Sequence, residues 1–231
     1  MNRFFAIDKQ DNFLFFDDKA QKHFKVLRLE QKEFVGVFEN NFYLCRYENG
    51  KGVILDSIDQ NHELPYQIIL AAAIIKLDRF EWLLEKATEL GVDQIVPIWS
   101  ENTDSELAKF KFDRKRVRFE EILLNSAQQS FRNKVPTLMQ INKYSDFLKT
   151  QADLKIIAHE KNDDLNLNLT KLAKNQKIIV LVGPEGGFSE SEVEKAHENG
   201  YHVVSLGSRI LRAETASIYL LAQLGENHGE R

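Results

Sequence analysis

The sequence predicts an α/β protein in which a small β-barrel precedes a larger domain built on a parallel sheet. Two observations support this fold class. Residues 1–63 contain short apolar runs separated by turn signals, which is typical of an all-β unit. From residue 66 onward, strand patterns alternate with helical patterns, as in parallel sheets covered by helices. Because a polar stretch ending in Pro65 lies between these regions, we expect domains at 1–63 and 66–231.

The N-terminal region shows the closely spaced strands of a small barrel. Aromatic and aliphatic residues cluster at 4–7 and at 13–16, and alternating patterns follow them. The pair Asn49-Gly50 is a strong hairpin signal, and Asn40-Asn41 marks a second turn. A short helical segment is expected at 23–29. Several short strands at this spacing favour a barrel over an open sheet.

The second region alternates strands and helices in the order expected of parallel strands joined by crossovers. A glycine at the end of an amphipathic pattern is typical of a helix C-terminus, and Gly91 has this position. The predicted elements are a strand at 67–75, a helix at 77–90, a strand at 92–99, a helix at 113–130, a strand at 155–159 and a short helix at 165–174.

A strand, a glycine-rich turn and a helix follow one another at residues 177–196. Residues 178–182 are uninterruptedly apolar, as in a strand buried on both faces. Ser189 and Glu192 have the spacing of a capping box and predict a new helix. Turns at the ends of such strands bind ligands in α/β proteins, although a tight connection without a ligand has the same pattern. The glycines of the turn are Gly183, Gly186 and Gly187.

The composition of this turn argues against a phosphate ligand. The lysine of a P-loop is missing, and the glycine spacing of a dinucleotide site is not present. Glu185 lies within the turn, and its carboxylate would repel an anion. A neutral or cationic ligand held by backbone groups and apolar walls suits the turn better, so a nucleotide-binding protein is a disfavoured alternative.

A second strand end carries an unusual combination of side chains. Residues 203–206 are mostly apolar and run into Gly207. Two arginines and two apolar residues then precede a mostly apolar helix that begins near Glu214, and this composition is uncommon in a plain connection. A buried ion pair between Arg212 and Glu214 is the structural alternative to a functional role. The four residues after Ser208 are Arg209, Ile210, Leu211 and Arg212.

The overall charge does not favour a general nucleic-acid binder. The formal net charge is −4, so an RNA-binding protein of this composition must concentrate its positive charge locally. Residues 109–119 do so, with six basic residues against one acid, although a solvated helix face has the same pattern. The basic residues are Lys109, Lys111, Arg114, Lys115, Arg116 and Arg118.

Other sequence features narrow the class of protein. The single cysteine, Cys45, lies in an apolar strand pattern and fits a reduced core residue in the cytoplasm. No apolar run approaches the length of a membrane span, so no membrane partner is expected. Histidine and cysteine do not occur at ligand spacing, so no metal is expected.

Two motifs in the second region resemble a known enzyme superfamily. GPEGGFSESE at 183–192 and LGSRILRAETA at 206–216 resemble the C-terminal motifs of SPOUT methyltransferases, and within them those of the RsmE-type family. Stretches at 23–29, 85–97 and 126–132 match the same family in the same order. The resemblance therefore extends over nearly the whole chain.

This resemblance implies S-adenosylmethionine-dependent methylation of N3 of a uridine in 16S ribosomal RNA, free or in the assembled small subunit. It implies a PUA-like RNA-binding barrel, a trefoil-knotted SPOUT domain, and a homodimer whose active site uses both chains. The expected cofactor residues are Leu181, Val182, Gly183, Pro184, Glu185, Gly186, Gly187, Leu206, Gly207, Ile210, Leu211, Thr215 and Ala216. Expected RNA contacts in the barrel are Arg3, Lys22, His23, Lys25 and Arg28.

The catalytic candidates follow from the chemistry that the resemblance implies. Uridine N3 carries a proton that must leave, and the negative charge then spreads onto the flanking carbonyl oxygens, where an arginine would stabilise it. Arg132, Arg209 and Arg212 are candidates for this role. Glu214 either accepts the proton or orients an arginine. Two alternatives stay open: a SPOUT enzyme for transfer RNA or another ribosomal site, and a non-catalytic RNA-binding ribosome-assembly factor.

Overall fold

The chain divides into two compact units that do not follow the sequence order completely. The computed structural model describes residues 1–160 and 176–226. The first unit comprises Met1–Glu63 and Ala127–Val135, and the second comprises Leu64–Ser126 and Pro136–Arg231. The sequence predicts a division at this point, but it assigns residues 127–135 to the larger domain, and the structure differs there. The predicted helix at 165–174 lies outside the described residues.

The first unit consists of one curled sheet and one helix. Its elements are β1 (Arg3–Phe5), β2 (Asp8–Gln10), β3 (Phe13–Phe15), α1 (Asp18–Leu27), β4 (Glu33–Phe38), β5 (Asn41–Glu48) and β6 (Lys51–Ile58). The strand order is β1-β4-β5-β6-β3-β2, so β1 and β2 lie at opposite edges. Only Ala6 and Ile7 separate these strands, and their N–H groups donate to the carbonyls of Val37 and Phe15 at 2.8 Å. The two edges of the sheet are therefore drawn together.

The turns of this sheet follow from residues that tolerate positive φ. Asn49 and Gly50 join β5 to β6 with φ of 49° and 84°, which confirms the predicted hairpin. The preceding turn is formed by Glu39 and Asn40, one residue earlier than predicted. Helix α1 also starts earlier than expected, because the Asp17 carboxylate caps it by accepting the N–H of Ala20.

The core of the first unit is aromatic. Phe24 is fully buried and meets Phe4 and Phe16 edge to face, at ring distances of 4.4 and 5.1 Å. Cys45 lies in the same cluster, and burial raises the pKa of its thiol to about 12. The predicted core position of Cys45 is confirmed, and its thiol is kept neutral and inaccessible.

The second unit is a parallel sheet with helices, as the sequence predicts. Its strands are β7 (Gln67–Ala73), β8 (Gln94–Trp99), β9 (Thr137–Leu138), β10 (Asn142–Lys143), β11 (Leu154–Ala158), β12 (Lys177–Val182) and β13 (His202–Val204). Its described α-helices are α2 (Leu77–Glu89), α3 (Arg116–Gln129, whose last residues belong to the first unit), α4 (Tyr144–Phe147), α5 (Glu190–Glu198) and α6 (Ala213–Glu226). A π-helical turn (Leu107–Lys111) and a 3₁₀ turn (Asp113–Lys115) precede α3. All pairs among these described strands are parallel, in the order β10-β8-β7-β12-β11-β13, and β9 pairs with β8.

Local signals account for the elements that surround the glycine-rich turn. Strand β12 lies between β7 and β11 and is almost completely buried, which explains its continuous apolar run. The side chain of Ser189 accepts the N–H of Glu192, and the Glu192 carboxylate accepts the N–H of Ser189. The predicted capping box is therefore confirmed, and it starts α5 directly after the turn.

The last described helix returns from the edge of the sheet towards its centre. Strand β13 is an edge strand beside β11, yet α6 packs on α2, β7 and β12. The segment between β13 and α6 must therefore cross the carboxyl ends of β11 and β12. This crossing brings the second predicted motif next to the glycine-rich turn.

Candidate functional site

A cavity of about 940 Å³ lies at the carboxyl ends of β11, β12 and β13. The glycine-rich turn after β12 forms one wall, and the segment after β13 with the start of α6 forms another. His159 and Glu160, which follow β11, also line it. Parallel sheets present their ligands at this edge, and the volume is in the range of small-molecule sites.

Most residues predicted to hold a cofactor line this cavity. All members of that set do so except Leu181 and Thr215. Leu181 is fully buried in the sheet, and Thr215 is exposed on α6. Phe188 completes one apolar wall, and its ring packs against Tyr144 at 5.2 Å.

Two glycines leave room beside the backbone in this cavity. Gly187 and Gly207 have φ of 68° and 105°, a region that side chains rarely adopt. A Cβ built on either residue meets no atom within 4 Å, so both backbones face open space. The turn is held from outside by Asn102, whose amide donates to the carbonyls of Gly186 and Gly187 at 3.3 and 3.1 Å. No sequence signal identified Asn102, because its loop follows β8, far away in the chain.

The predicted arginines do not all reach this site. Arg209 lines the cavity, and Arg212 is exposed at the start of α6 beside the lining residues Leu211 and Ala213. Neither has an ion-pair partner within residues 1–160 and 176–226. Arg132 instead lies in the first unit, 3% exposed, with its guanidinium 2.6 to 2.9 Å from the carboxylate of Glu63. This neutralised, buried position does not favour the predicted catalytic role.

The alternative of an ion pair between Arg212 and Glu214 is wrong. At the beginning of a helix, the side chains of residues two positions apart point in different directions. Here Arg212 is exposed, whereas Glu214 is buried. The carboxylate of Glu214 lies 3.9 Å from the guanidinium of Arg79, on α2. The same guanidinium is 3.7 Å from the carboxylate of Glu185 in the glycine-rich turn. Arg79 is thus a residue of this site that the sequence did not reveal.

The basic stretch at 109–119 is partly neutralised by its neighbours. Acidic side chains lie within ion-pair distance of three of its members, and the pairs are Lys111–Glu106 at 2.7 Å, Arg116–Asp113 at 3.6 Å and Arg118–Glu81 at 3.5 Å. Lys109 lies over the ring of Trp99. Arg114 and Lys115 are exposed and have no acidic partner in the described ranges. Phe110, 60% exposed, lies within this charged surface.

The RNA-contact candidates of the first unit fall into two groups. The guanidinium of Arg3 donates to the carbonyls of Gln128 and Gln129, at 2.6 and 3.0 Å, and so binds the C-terminal end of α3. These contacts do not favour the predicted phosphate contact of Arg3. The remaining candidates are all exposed on or directly after α1; they are Lys22, His23, Lys25 and Arg28.

The part of the chain that the structure describes contains neither a metal-binding cluster nor a membrane-spanning helix. No group of three or more histidine, cysteine, aspartate or glutamate side chains in these ranges is arranged to hold a metal ion. None of the helices described in the structure has both the length and the apolar composition needed to cross a membrane.

Comparisons with known proteins agree with this geometry. Residues 62–225 match the family model of an RNA methyltransferase domain. The chain is 37% identical to the ribosomal RNA small subunit methyltransferase E of Mesomycoplasma hyopneumoniae (strain 232), over 96% of this chain and 98% of that protein. Its fold is similar to the crystal structure of a ribosomal RNA small subunit methyltransferase E from Neisseria gonorrhoeae bound to S-adenosyl methionine. That likeness has a TM-score of 0.88 at 28% identity and covers 98% of this chain and 97% of that chain.

A second solved structure has a similar fold. The putative methyltransferase from Legionella pneumophila, in complex with the bound cofactor SAM, is similar with a TM-score of 0.85 and 28% identity. The likeness covers 97% of this chain and 96% of that chain.

Proposed function

Because the chain belongs to the ribosomal RNA small subunit methyltransferase E family, we propose that it transfers a methyl group from S-adenosylmethionine to N3 of a uridine in 16S ribosomal RNA. The observation that carries this proposal is the cavity in which the two predicted motifs meet. The proposed substrate is ribosomal RNA, so the expected location of the reaction is the cytoplasm.

The residues of the cavity fit S-adenosylmethionine. The space beside Gly187 and Gly207 would admit a flat ring against the backbone, and Phe188 and Leu206 supply apolar walls. Arg79, 3.7 Å away, partly balances the charge of Glu185, and the rest of the turn offers backbone and apolar surface, which suits a ligand without phosphate groups. When bound, the cofactor supplies a methyl group on a sulfonium, so the protein's task is mainly to position the two reactants.

The arginines of the site are proposed to stabilise the charge that develops on the base. Loss of the N3 proton leaves negative charge on the flanking carbonyl oxygens, and guanidinium groups in a shielded site stabilise it. Arg209 and Arg212 are available for this role, since neither is paired with an acid in the described part of the chain. Of the two roles considered for Glu214, we assign it that of orienting an arginine, namely Arg79. Its carboxylate lies 3.9 Å from the Arg79 guanidinium and does not line the cavity.

We also propose the finer architecture that the motifs imply. The curled sheet of the first unit is proposed to be a PUA-like barrel that binds RNA, mainly through the exposed cations of α1. The second unit is proposed to be a trefoil-knotted SPOUT domain, and the return of the chain from β13 to α6 across the sheet supports this. A homodimer is proposed because Ile210 and Tyr219, which line the cavity, are nevertheless 83% and 43% exposed.

The function is tested by mapping methylated uridines in ribosomal RNA. Cells that lack this protein are expected to lose one methylated uridine in 16S ribosomal RNA, detected by mass spectrometry of nuclease fragments. The purified protein with S-adenosylmethionine should restore that methyl group, on free RNA or on isolated small subunits. An unchanged methylation map, together with no cofactor binding by calorimetry, would instead indicate a non-catalytic assembly factor.

Replacing Gly207 by valine is expected to weaken cofactor binding at least about tenfold. A β-branched residue at φ 105° costs about 1–3 kcal/mol of strain, and its side chain enters the space beside the backbone. Gly200→Val is the matched control, because Gly200 has φ 82° and lies outside the cavity wall. Calorimetry should show weaker binding for Gly207→Val alone, whereas both variants lose thermal stability. Equal affinity in the two variants would contradict the assignment of Gly207 to the cofactor site.

A further inference from the structure

Arg79 connects three segments that are distant in sequence. It lies in the first turn of α2, and its guanidinium is 3.7 Å from Glu185 and 3.9 Å from Glu214. Glu185 belongs to the glycine-rich turn after β12, and Glu214 to the first turn of α6. We refer to Arg79, Glu185 and Glu214 as the Arg79 cluster.

The position of Arg79 is electrostatically unfavourable for the helix that carries it. The N-terminal turn of a helix favours negative charge, so a cation there is disfavoured unless it has another role. Glu185 adds negative charge at this end of α2, beside Asp78 of the same turn, and its carboxylate also accepts the backbone N–H of Lys76 at 3.3 Å. The glycine-rich turn is thus attached to the start of α2 through one acidic side chain.

The cluster holds two carboxylates around one cation. Glu214 is only 5% exposed, and one of its carboxylate oxygens has no hydrogen-bond partner. Without Arg79 this buried carboxylate would lose the cation within 4 Å of it, and Glu185 would lose the same cation. Because an unpaired buried carboxylate is costly, we expect the start of α6 to shift relative to the turn.

We propose that Arg79 is a positioning residue that fixes the distance between the two walls of the cavity. One wall is the turn that contains Glu185, and the other begins where α6 starts at Ala213, next to Glu214. Arg79 itself does not line the cavity, so it acts through these two neighbours. This inference rests on the proposed function for the identity of the ligand.

Cofactor affinity of matched variants tests the proposal. Arg79→Gln is expected to raise the Kd for S-adenosylmethionine on the order of tenfold, measured by calorimetry. Arg79→Lys keeps the charge but cannot reach both carboxylates in the same way, so an intermediate Kd is expected. Lys86→Gln is the control: it lies on the same helix, also pairs with two carboxylates, and its side chain is 31% exposed against 29% for Arg79.

A double-mutant cycle separates positioning from simple stabilisation. Glu185→Gln alone is expected to weaken binding about threefold, and its effect should nearly vanish when Arg79→Gln is already present. If Arg79→Gln does not fold, Arg79→Lys decides in its place, because it keeps the charge and does not line the cavity, whereas Glu185 does. A Kd within twofold of the wild type in folded Arg79→Gln, or in Arg79→Lys when the former does not fold, would overturn the proposal.

The readout also separates this proposal from the proposed function. Binding of S-adenosylmethionine is measured without RNA, so the positioning role stands or fails whichever nucleotide is methylated. Failure of the wild-type protein to methylate 16S ribosomal RNA, with intact cofactor binding, would remove the proposed substrate and leave the role of Arg79 in place. Lower thermal stability in Arg79→Gln with an unchanged Kd would show a purely structural contact.

Discussion

Replacing Arg212 by alanine is expected to abolish most methyl transfer and to leave cofactor binding within about twofold of the wild type. The guanidinium is exposed beside the cavity and has no ion-pair partner in the described residues, so its removal disturbs no internal contact. Removal of one preorganised donor to a developing anion costs about 10²–10³ in turnover. Transfer of a labelled methyl group to 16S ribosomal RNA measures the first effect, and calorimetry measures the second.

Two further variants sharpen this experiment. Arg212→Lys keeps the charge without the planar guanidinium and should retain part of the activity. Arg209→Ala removes the neighbouring arginine, which lines the cavity, and shows whether the two cations act together. The melting temperature of Arg212→Ala should match that of the wild type, since the residue is exposed. Unchanged turnover in the folded variant would remove Arg212 from the mechanism.

Replacing Arg132 by methionine is expected to destabilise the first unit by about 3–5 kcal/mol, because it leaves a buried carboxylate without its strongest partner. The Glu63 side chain is 10% exposed and also accepts the backbone N–H groups of Asn133 and Lys134. Both tryptophans, Trp82 and Trp99, belong to the second unit, so their fluorescence does not report this loss. Amide hydrogen exchange in β4 and β5 measures it directly.

A surface arginine of the same unit provides the control for Arg132. Arg46 pairs with Glu33 and Glu48 at 3.9 and 3.8 Å, and its side chain is 40% exposed. Arg46→Met should therefore cost less than about 1 kcal/mol. Replacing Glu63 by glutamine together with Arg132→Met should recover part of the lost stability. Equal losses in the two arginine variants would show that the pair with Glu63 contributes no more than a surface pair.

The sequence predicted those parts of the fold that depend on neighbouring residues. The strand, glycine turn and capped helix at 177–198 follow from local backbone requirements. Gly91, at the end of α2, and Asn49-Gly50, between β5 and β6, could be predicted in the same way because these positions have positive φ. Most of the residues that line the cavity could be predicted because each of its two motifs is continuous in sequence. The alternation of strand and helix patterns was sufficient to predict the parallel sheet.

The contacts that the sequence did not reveal join residues far apart in the chain. Glu63 and Arg132 are distant in sequence, so nothing local assigned residues 127–135 to the first unit. Arg79 lies at the start of a predicted helix and carries no local sign of its role, because its acidic partners lie more than a hundred positions away. The positive charges of the stretch at 109–119 can be read from the sequence. The ion pairs that neutralise three of them cannot be predicted from it.

The discontinuous first unit has a consequence for how the protein is made. A nascent chain that has left the ribosome only as far as Glu63 lacks Arg132 and Asn133, whose side chains supply partners for Glu63, Asn40 and Gln60. Translation must proceed through residue 135 before these interactions can form. Completion of the N-terminal unit is thereby tied to synthesis of much of the second unit, and a gene fragment ending at residue 63 encodes an incomplete module.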